Sequence, residues 1–197
     1  MNYHQLLHQT IIAAVKAGKE ILEVYDTKFD VEYKDDKSPL TLADKKASDK
    51  IISELKQFDI PVLSEEGVHD SFEKRKTWSK LWIVDPLDGT KEFVKRNGEF
   101  TVNIALVEDN APTLGVIFSL VFKDIYFAAK GIGSFKIDRE YFTPLINSIE
   151  DVSLEALLIA AQQLPIVSNR TNYVVVASRS HMSTETHERI EALKLQH

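Results

Sequence analysis

The chain has 197 residues, 44% of them hydrophobic and 27% charged, with a formal net charge of -6. That length carries one substantial core, or one domain and part of a second, and the acidic balance argues against a duplex nucleic-acid partner, which basic residues would have to hold. With no cysteine, disulfides and thiolate metal ligands are excluded. No stretch approaches the roughly 20 apolar residues that span a bilayer. The start, Met1-Asn2-Tyr3-His4-Gln5, has neither the basic region nor the cleavage site of a secretory leader. A cytoplasmic setting fits, and a small anionic ligand at an acidic site would need a cation to hold it.

Residues 4–25 read as an amphipathic helix, with Leu7, Ile11, Val15, Gly18, Leu22 and Tyr25 at three- and four-residue steps. Residues 29–34 alternate as a short strand, and Ser38-Pro39 breaks the chain. A second helix starts near Thr41, its N-cap, and carries Ala47, Ile51, Leu55 and Phe58 on one face. Ile60-Pro61-Val62-Leu63 and Leu81-Trp82-Ile83-Val84 are short apolar runs of the kind buried strands show, with a polar loop at 67–80 between them. The first run is followed by Ser64-Glu65-Glu66 and the second by Asp85. Ligand sites in α/β sheets often gather at strand ends.

From residue 101 the pattern predicts an antiparallel meander: 101–107, 113–118 and 125–129, separated by Glu108-Asp109-Asn110 and Lys123-Asp124 and closed by Gly131 and Gly133. Residues 153–163 read as a helix, 173–177 as a β-branched strand, and a final helix begins near Ser183 and is still running at His197. The reading divides the chain into a metal-binding α+β domain at 1–140 and the start of a C-terminal α/β domain at 141–197. That second domain is expected to be truncated, because its strand and helix have too few neighbours to make a core.

Asp85-Pro86-Leu87-Asp88-Gly89-Thr90 concentrates chemical function in six residues. Pro86 fixes its own φ and biases Asp85 towards extended backbone. Two carboxylates around such a turn can converge, the Leu87 carbonyl can turn inward, and Gly89 permits a left-handed turn. Thr90 places a hydroxyl beside them, at a possible helix start. An all-oxygen donor set suits magnesium or manganese rather than zinc. Taken alone, Pro-x-Asp-Gly is a turn signal, Glu65-Glu66 a solvated acidic pair, and Asp44 a helix-start acid in a capping box with Thr41. The position of the turn and of the Glu65-Glu66 pair after apolar strands favours a site. Lys91, Lys95 and Arg96 flank it, either as a solvated helix face or as phosphate-steering charges. His4, His8, His187 and His197 have no partner pattern.

At these residues the sequence resembles the lithium-sensitive, magnesium-dependent phosphomonoesterases of the inositol monophosphatase superfamily. The resemblance rests on Ser38-Pro39-Leu40-Thr41-Leu42-Ala43-Asp44, on PVLSEE, and on WIVDPLDGTKEFVKRNGEFTVNIALVEDNAPTLGVI. KEFVKRNGEFTVNIAL and the later Ser178-Arg179-Ser180-His181 are similar to the 3'(2'),5'-bisphosphate nucleotidase branch. The implied fold is α+β, an αβαβα sandwich whose N-terminal helix pair lies on a largely antiparallel sheet. The resemblance implies Glu65, Asp85 and the Leu87 carbonyl as ligands of a first metal. Asp85 would bridge to a second metal, with Asp88 as another ligand. Asp44, Thr90 and Glu65 would orient or deprotonate water. Leu87, Asp88, Gly89 and Thr90 would line the phosphate, and Ser178 and His181 would touch the nucleotide.

The implied reaction is hydrolysis of 3'(2')-phosphoadenosine 5'-phosphate to AMP and phosphate, with two or three Mg2+ ions, Mn2+ as a substitute and Li+ as an inhibitor. The implied setting is sulfur metabolism in the cytoplasm, with peripheral association at the inner membrane as a variant. The family completes its second metal site with a Trp-Asp aspartate beyond the Ser-Arg-Ser-His segment. Here the two tryptophans are Trp78 and Trp82, so weak activity or none is expected. The alternatives are an inositol or sugar phosphate monophosphatase, and a non-catalytic magnesium- or nucleotide-binding fragment.

Overall fold

The computed structural model describes residues 2–33, 39–67, 70–166, 174–178 and 182–194. They fall in two compact units divided between Pro165 and Ile166.

In the first unit the predicted helix pair forms a layer. Helix α1 (Tyr3–Tyr25) opens where the Asn2 side chain accepts a hydrogen bond from the His4 N–H. Its apolar stripe buries Leu7, Ile11, Val15 and Ile21. Strands β1 (Val31–Tyr33) and β2 (Pro39–Thr41) pair antiparallel, Val31 opposite Thr41; Lys34, Asp36 and Ser38 lie outside the described residues. Helix α2 (Leu42–Leu55) starts at the predicted N-cap, Thr41, in a full capping box with Asp44. It buries Ala47, Ile51 and Leu55 against α1 and the sheet.

Among the described residues the sheet has seven strands in sequence order: β3 (Val62–Ser64), β4 (Lys80–Asp88), β5 (Thr101–Glu108), β6 (Ala111–Ser119), β7 (Asp124–Ala129), β8 (Gly133–Ile137) and β9 (Gln162–Gln163). β3 runs parallel to β4, and every later pair is antiparallel. The predicted meander is therefore present and extends past β7. The helix-facing side of the sheet carries Trp82, Val84, Val102, Ile104, Leu106, Val116, Phe118 and Phe127, all buried. The approach of α1 is close: a Cβ built on Gly18 would lie 2.5 Å from the Phe118 ring.

Several expectations change. The runs read as buried strands are half-buried: Trp82 and Val84 are enclosed, while Ile83 between them is 44% exposed. Within this unit helices cover one face of β4, so its side chains alternate. The 67–80 loop contains a short helix, α3 (Phe72–Arg75), capped by Ser71. Helix α5 (Arg139–Leu145) sets Phe142 edge-on against Phe118, with ring centres 5.2 Å apart. Helix α6 (Leu154–Ala160) stops short of residue 163, because Gln162 and Gln163 join the sheet as β9 against β8.

In the second unit, residues 174–178 form no regular strand. None of the described residues of this unit forms a strand beside them, and β propensity without a neighbouring strand does not make a sheet. Tyr173 lies outside the described residues. The final helix is α7 (Thr184–Lys194), with the Ser183 hydroxyl accepting from the Thr186 N–H at 3.2 Å.

Candidate metal and phosphate site

The site is built where strand alternation breaks. Asp85 lies opposite Asn103 and Asp88 opposite Thr101, and the register shifts between these pairs. In an unbroken strand, residues three apart point to opposite faces. The bulge at Pro86-Leu87 supplies the extra turn that re-aims them. Beside it, the parallel pairing of β3 sets Ser64 against Val84, and the Glu65 N–H donates to the Val84 carbonyl at 3.0 Å. Two adjacent strand ends thus bring Glu65 next to Asp85, as expected from the paired acidic endings.

Gly89 follows with φ +94°, and a Cβ there would lie 2.9 Å from the Glu99 carbonyl oxygen. The position therefore combines a left-handed backbone with no room for a side chain. Thr90 opens the short helix α4 (Thr90–Val94), which buried Phe93 anchors against Tyr25, Phe29 and Phe100.

Asp44, in the first turn of α2, is 1% exposed. Its Oδ2 accepts from the Thr41 N–H at 2.7 Å and the Thr41 hydroxyl at 2.6 Å. The Thr90 hydroxyl lies 3.1 Å from Asp44 Oδ1 and 3.2 Å from the Leu87 carbonyl, positioned to donate to either. The capping acid and the motif are thus one connected system. Burial pushes the Asp44 carboxyl above the usual carboxylate range, while the bonds from Thr41 and Thr90 pull it back.

Asp85 is pushed up to about 7, first by burial and then by the negative charges of Glu65 and Asp88; a bond from the Leu87 N–H opposes this. Asp85 Oδ1 is buried with no hydrogen-bond partner. A buried acceptor without a donor, flanked by two more carboxylates, is what a hard cation would satisfy. Among the described residues, no three His, Asp or Glu side chains are already gathered as a metal cage. Like charges keep such groups apart when no cation joins them, and the Leu87 carbonyl, water and phosphate can complete the oxygen set. The residues present fit Mg2+ or Mn2+.

Two polar links were not singled out from the sequence. Asn103 Nδ2 donates to Asp88 Oδ2 at 3.0 Å, and the Ser48 and Ser64 hydroxyls meet at 2.9 Å in the buried seam between α2 and β3. The only available signal was a polar residue on the strand facing the motif, which gives no hint of its partner. Arg96 is tied to the end of α1. Its guanidinium donates to the Tyr25 and Thr27 carbonyls and lies over the Tyr25 and Phe29 rings. Lys95 is 3.6 Å from Glu92. Ser178 is exposed in the second unit, and His181 lies outside the described residues.

The fold is shared with known proteins. The model of the inositol monophosphatase family matches residues 2–196. The chain is 50% identical over 130 residues to the 3'(2'),5'-bisphosphate nucleotidase CysQ of Escherichia coli strain K12, an alignment covering 64% of this chain and 52% of that protein. The crystal structure of CysQ from Bacteroides thetaiotaomicron superposes with a TM-score of 0.85 at 44% identity, over 99% of this chain and 70% of that one. The extragenic suppressor protein suhB from Bartonella henselae is similar at 30% identity and a TM-score of 0.61, over 68% of this chain and 53% of that one. The chain spans about half the length of the curated relatives it matches.

Proposed function

Because the chain belongs to the inositol monophosphatase family, we propose that it forms the metal-centred part of a phosphomonoesterase that hydrolyses 3'(2')-phosphoadenosine 5'-phosphate to AMP and phosphate. The observation that carries this is the unpartnered, buried Asp85 oxygen between the Glu65 and Asp88 carboxylates, next to the Asp44–Thr90 pair. The substrate class rests on the nucleotidase relatives at 41–51% identity.

Glu65, Asp85 and the Leu87 carbonyl would hold one Mg2+, with Asp85 and Asp88 reaching a second. When bound, the ions supply positive charge against the phosphate dianion and the developing charge on the leaving oxygen. The protein's own part is to orient and to move a proton. The Thr90 hydroxyl, lying between Asp44 Oδ1 and the Leu87 carbonyl, accepts a hydrogen bond from the attacking water. Its own proton is directed to Asp44, whose burial-raised affinity for a proton suits a base. The backbone N–H groups at Gly89 and Thr90 face phosphate oxygens. The water's P–O bond forms as the ester P–O bond breaks, in line; the ester oxygen takes a proton from solvent water to leave as the alcohol, and Asp44 returns its proton to solvent. By the sequence resemblance, Ser178 and His181 are the proposed nucleotide contacts. No helix among the described residues is long and apolar enough to cross a membrane, and the cytoplasm is the proposed setting.

Phosphate release with Mg2+ from a substrate panel tests the reading. The expected result is preference for 3'-phosphoadenosine 5'-phosphate, inhibition by Li+, and turnover below that of a full-length relative. Preference for inositol monophosphate would reassign the substrate. Mg2+ uptake without release from any substrate would leave a non-catalytic binding module.

A further inference from the structure

Asn103 has no part in the ligand set described above. It lies on the sheet face that carries Asp85, directly across the β4–β5 register from it. The register breaks before the next pair, Asp88 and Thr101. The Asn103 side chain crosses that break: Nδ2 donates to Asp88 Oδ2 at 3.0 Å, and Oδ1 accepts from the Thr101 hydroxyl at 3.0 Å. An ionised carboxylate only accepts, so Asp88 takes the NH2 end of the amide and leaves its oxygen for the Thr101 hydroxyl. By donating to that oxygen, Thr101 secures the amide in the orientation that Asp88 sets.

From this geometry we infer that Asn103 is a positioning residue: it holds Asp88 at the angle that converges with Asp85 on one cation, and Thr101 secures Asn103. The inference rests on the metal-centred reading above. The choice of side chain follows from the charges. An aspartate at 103 would add another carboxylate against Asp88, whereas an apolar residue would leave Asp88 free to rotate. Asparagine donates without adding charge, and its carbonyl, committed to Thr101, does not compete for the ion. Groups that orient a ligand from behind typically change metal affinity by tenfold or more.

Calorimetric titration of the 197-residue chain with Mg2+ alone, beside urea unfolding, tests this. N103A is expected to weaken Mg2+ binding about tenfold with an unchanged urea midpoint. T101V should weaken it less, and T101S, which restores the hydroxyl, should bind as the parent does. Parental affinity in N103A overturns the inference alone. If N103A shifts the urea midpoint, T101V decides: parental affinity there, or a T101S loss equal to that of T101V, overturns it. A parent chain that takes up no Mg2+ overturns the phosphatase reading and this inference together.

Discussion

The two faces of one sheet do different work. Towards the helices, β4 to β7 present Trp82, Val84, Ile104, Val116, Phe118 and Phe127, enclosed in a continuous apolar layer. On the other face the same strands present Ile83, Asp85, Asn103, Ile117 and Tyr126. Of these, Ile83, Ile117 and Tyr126 keep 44%, 46% and 36% of their surface. The packed face is regular and stabilises by area removed from water. The chemical face is organised where regularity fails, at the Pro86-Leu87 bulge, and it concentrates negative charge that opposes folding until a cation neutralises it. Stability and chemistry are therefore separable, and substitutions on the two faces should move different observables.

The largest effect is expected on the packed side. Phe118→Ala removes a ring fully enclosed between Gly18 and Phe142. It should cost about 4 kcal/mol of unfolding free energy, read by urea denaturation, with the Mg2+ affinity of the folded fraction unchanged. A parallel loss of affinity would mean that the two faces are not separable.

Asp85→Asn tests the other side. It should lower phosphate release at least about a hundredfold, or about 2.7 kcal/mol, while metal-free stability stays the same or rises, because the change relieves repulsion from Glu65 and Asp88. Lower metal-free stability would show that Asp85 serves the fold. Gly89→Ala lies on the border between the two faces. With φ at +94° and 2.9 Å to the Glu99 carbonyl, it should cost about 2 kcal/mol and also weaken phosphate binding, since the strain falls on the turn before Thr90.

The two faces also differ in how far the sequence revealed them. Helices α1 and α2, the Thr41 cap and the meander were legible because each is a local period or a local signal. Asp85, Asp88, Gly89 and Thr90 were legible because a proline-directed turn after an apolar run is local too. Leu81–Val84 was misread as fully buried, since a short apolar run does not say how many of its faces are covered. Asn103 was missed because its role depends on register across strands. Arg96 lay beside the motif in sequence, yet in space it belongs to the end of α1. The 173–177 run read as a strand because propensity was visible, whereas the described part, 174–177, has no neighbouring strand among the described residues.

The smallest effect sharpens the comparison at the far end of β5. Glu108 accepts from Tyr3 and from Thr113 (2.8 Å) and pairs with Lys80, so it ties the start of α1 to the sheet edge. Lys80 first, then Tyr3, holds the Glu108 carboxyl at about 2, below its ordinary value of 4.5. A carboxyl lowered on folding adds stability that is complete above the unfolded value and is lost as pH falls through the folded one. Glu108→Gln should therefore cost about 1 kcal/mol near neutrality, a modest figure because Lys80 is half exposed and solvent screens the pair. The gap from the parent should narrow as pH falls from about 4.5 to about 2. Urea midpoints at pH 7, 4 and 2.5 measure it, and a gap that stays constant with pH would assign the loss to packing of Tyr3 rather than to charge. Mg2+ affinity should not respond at any pH at which the site carboxylates are ionised, because Glu108 lies at the opposite end of β5 from Thr101 and the bulge.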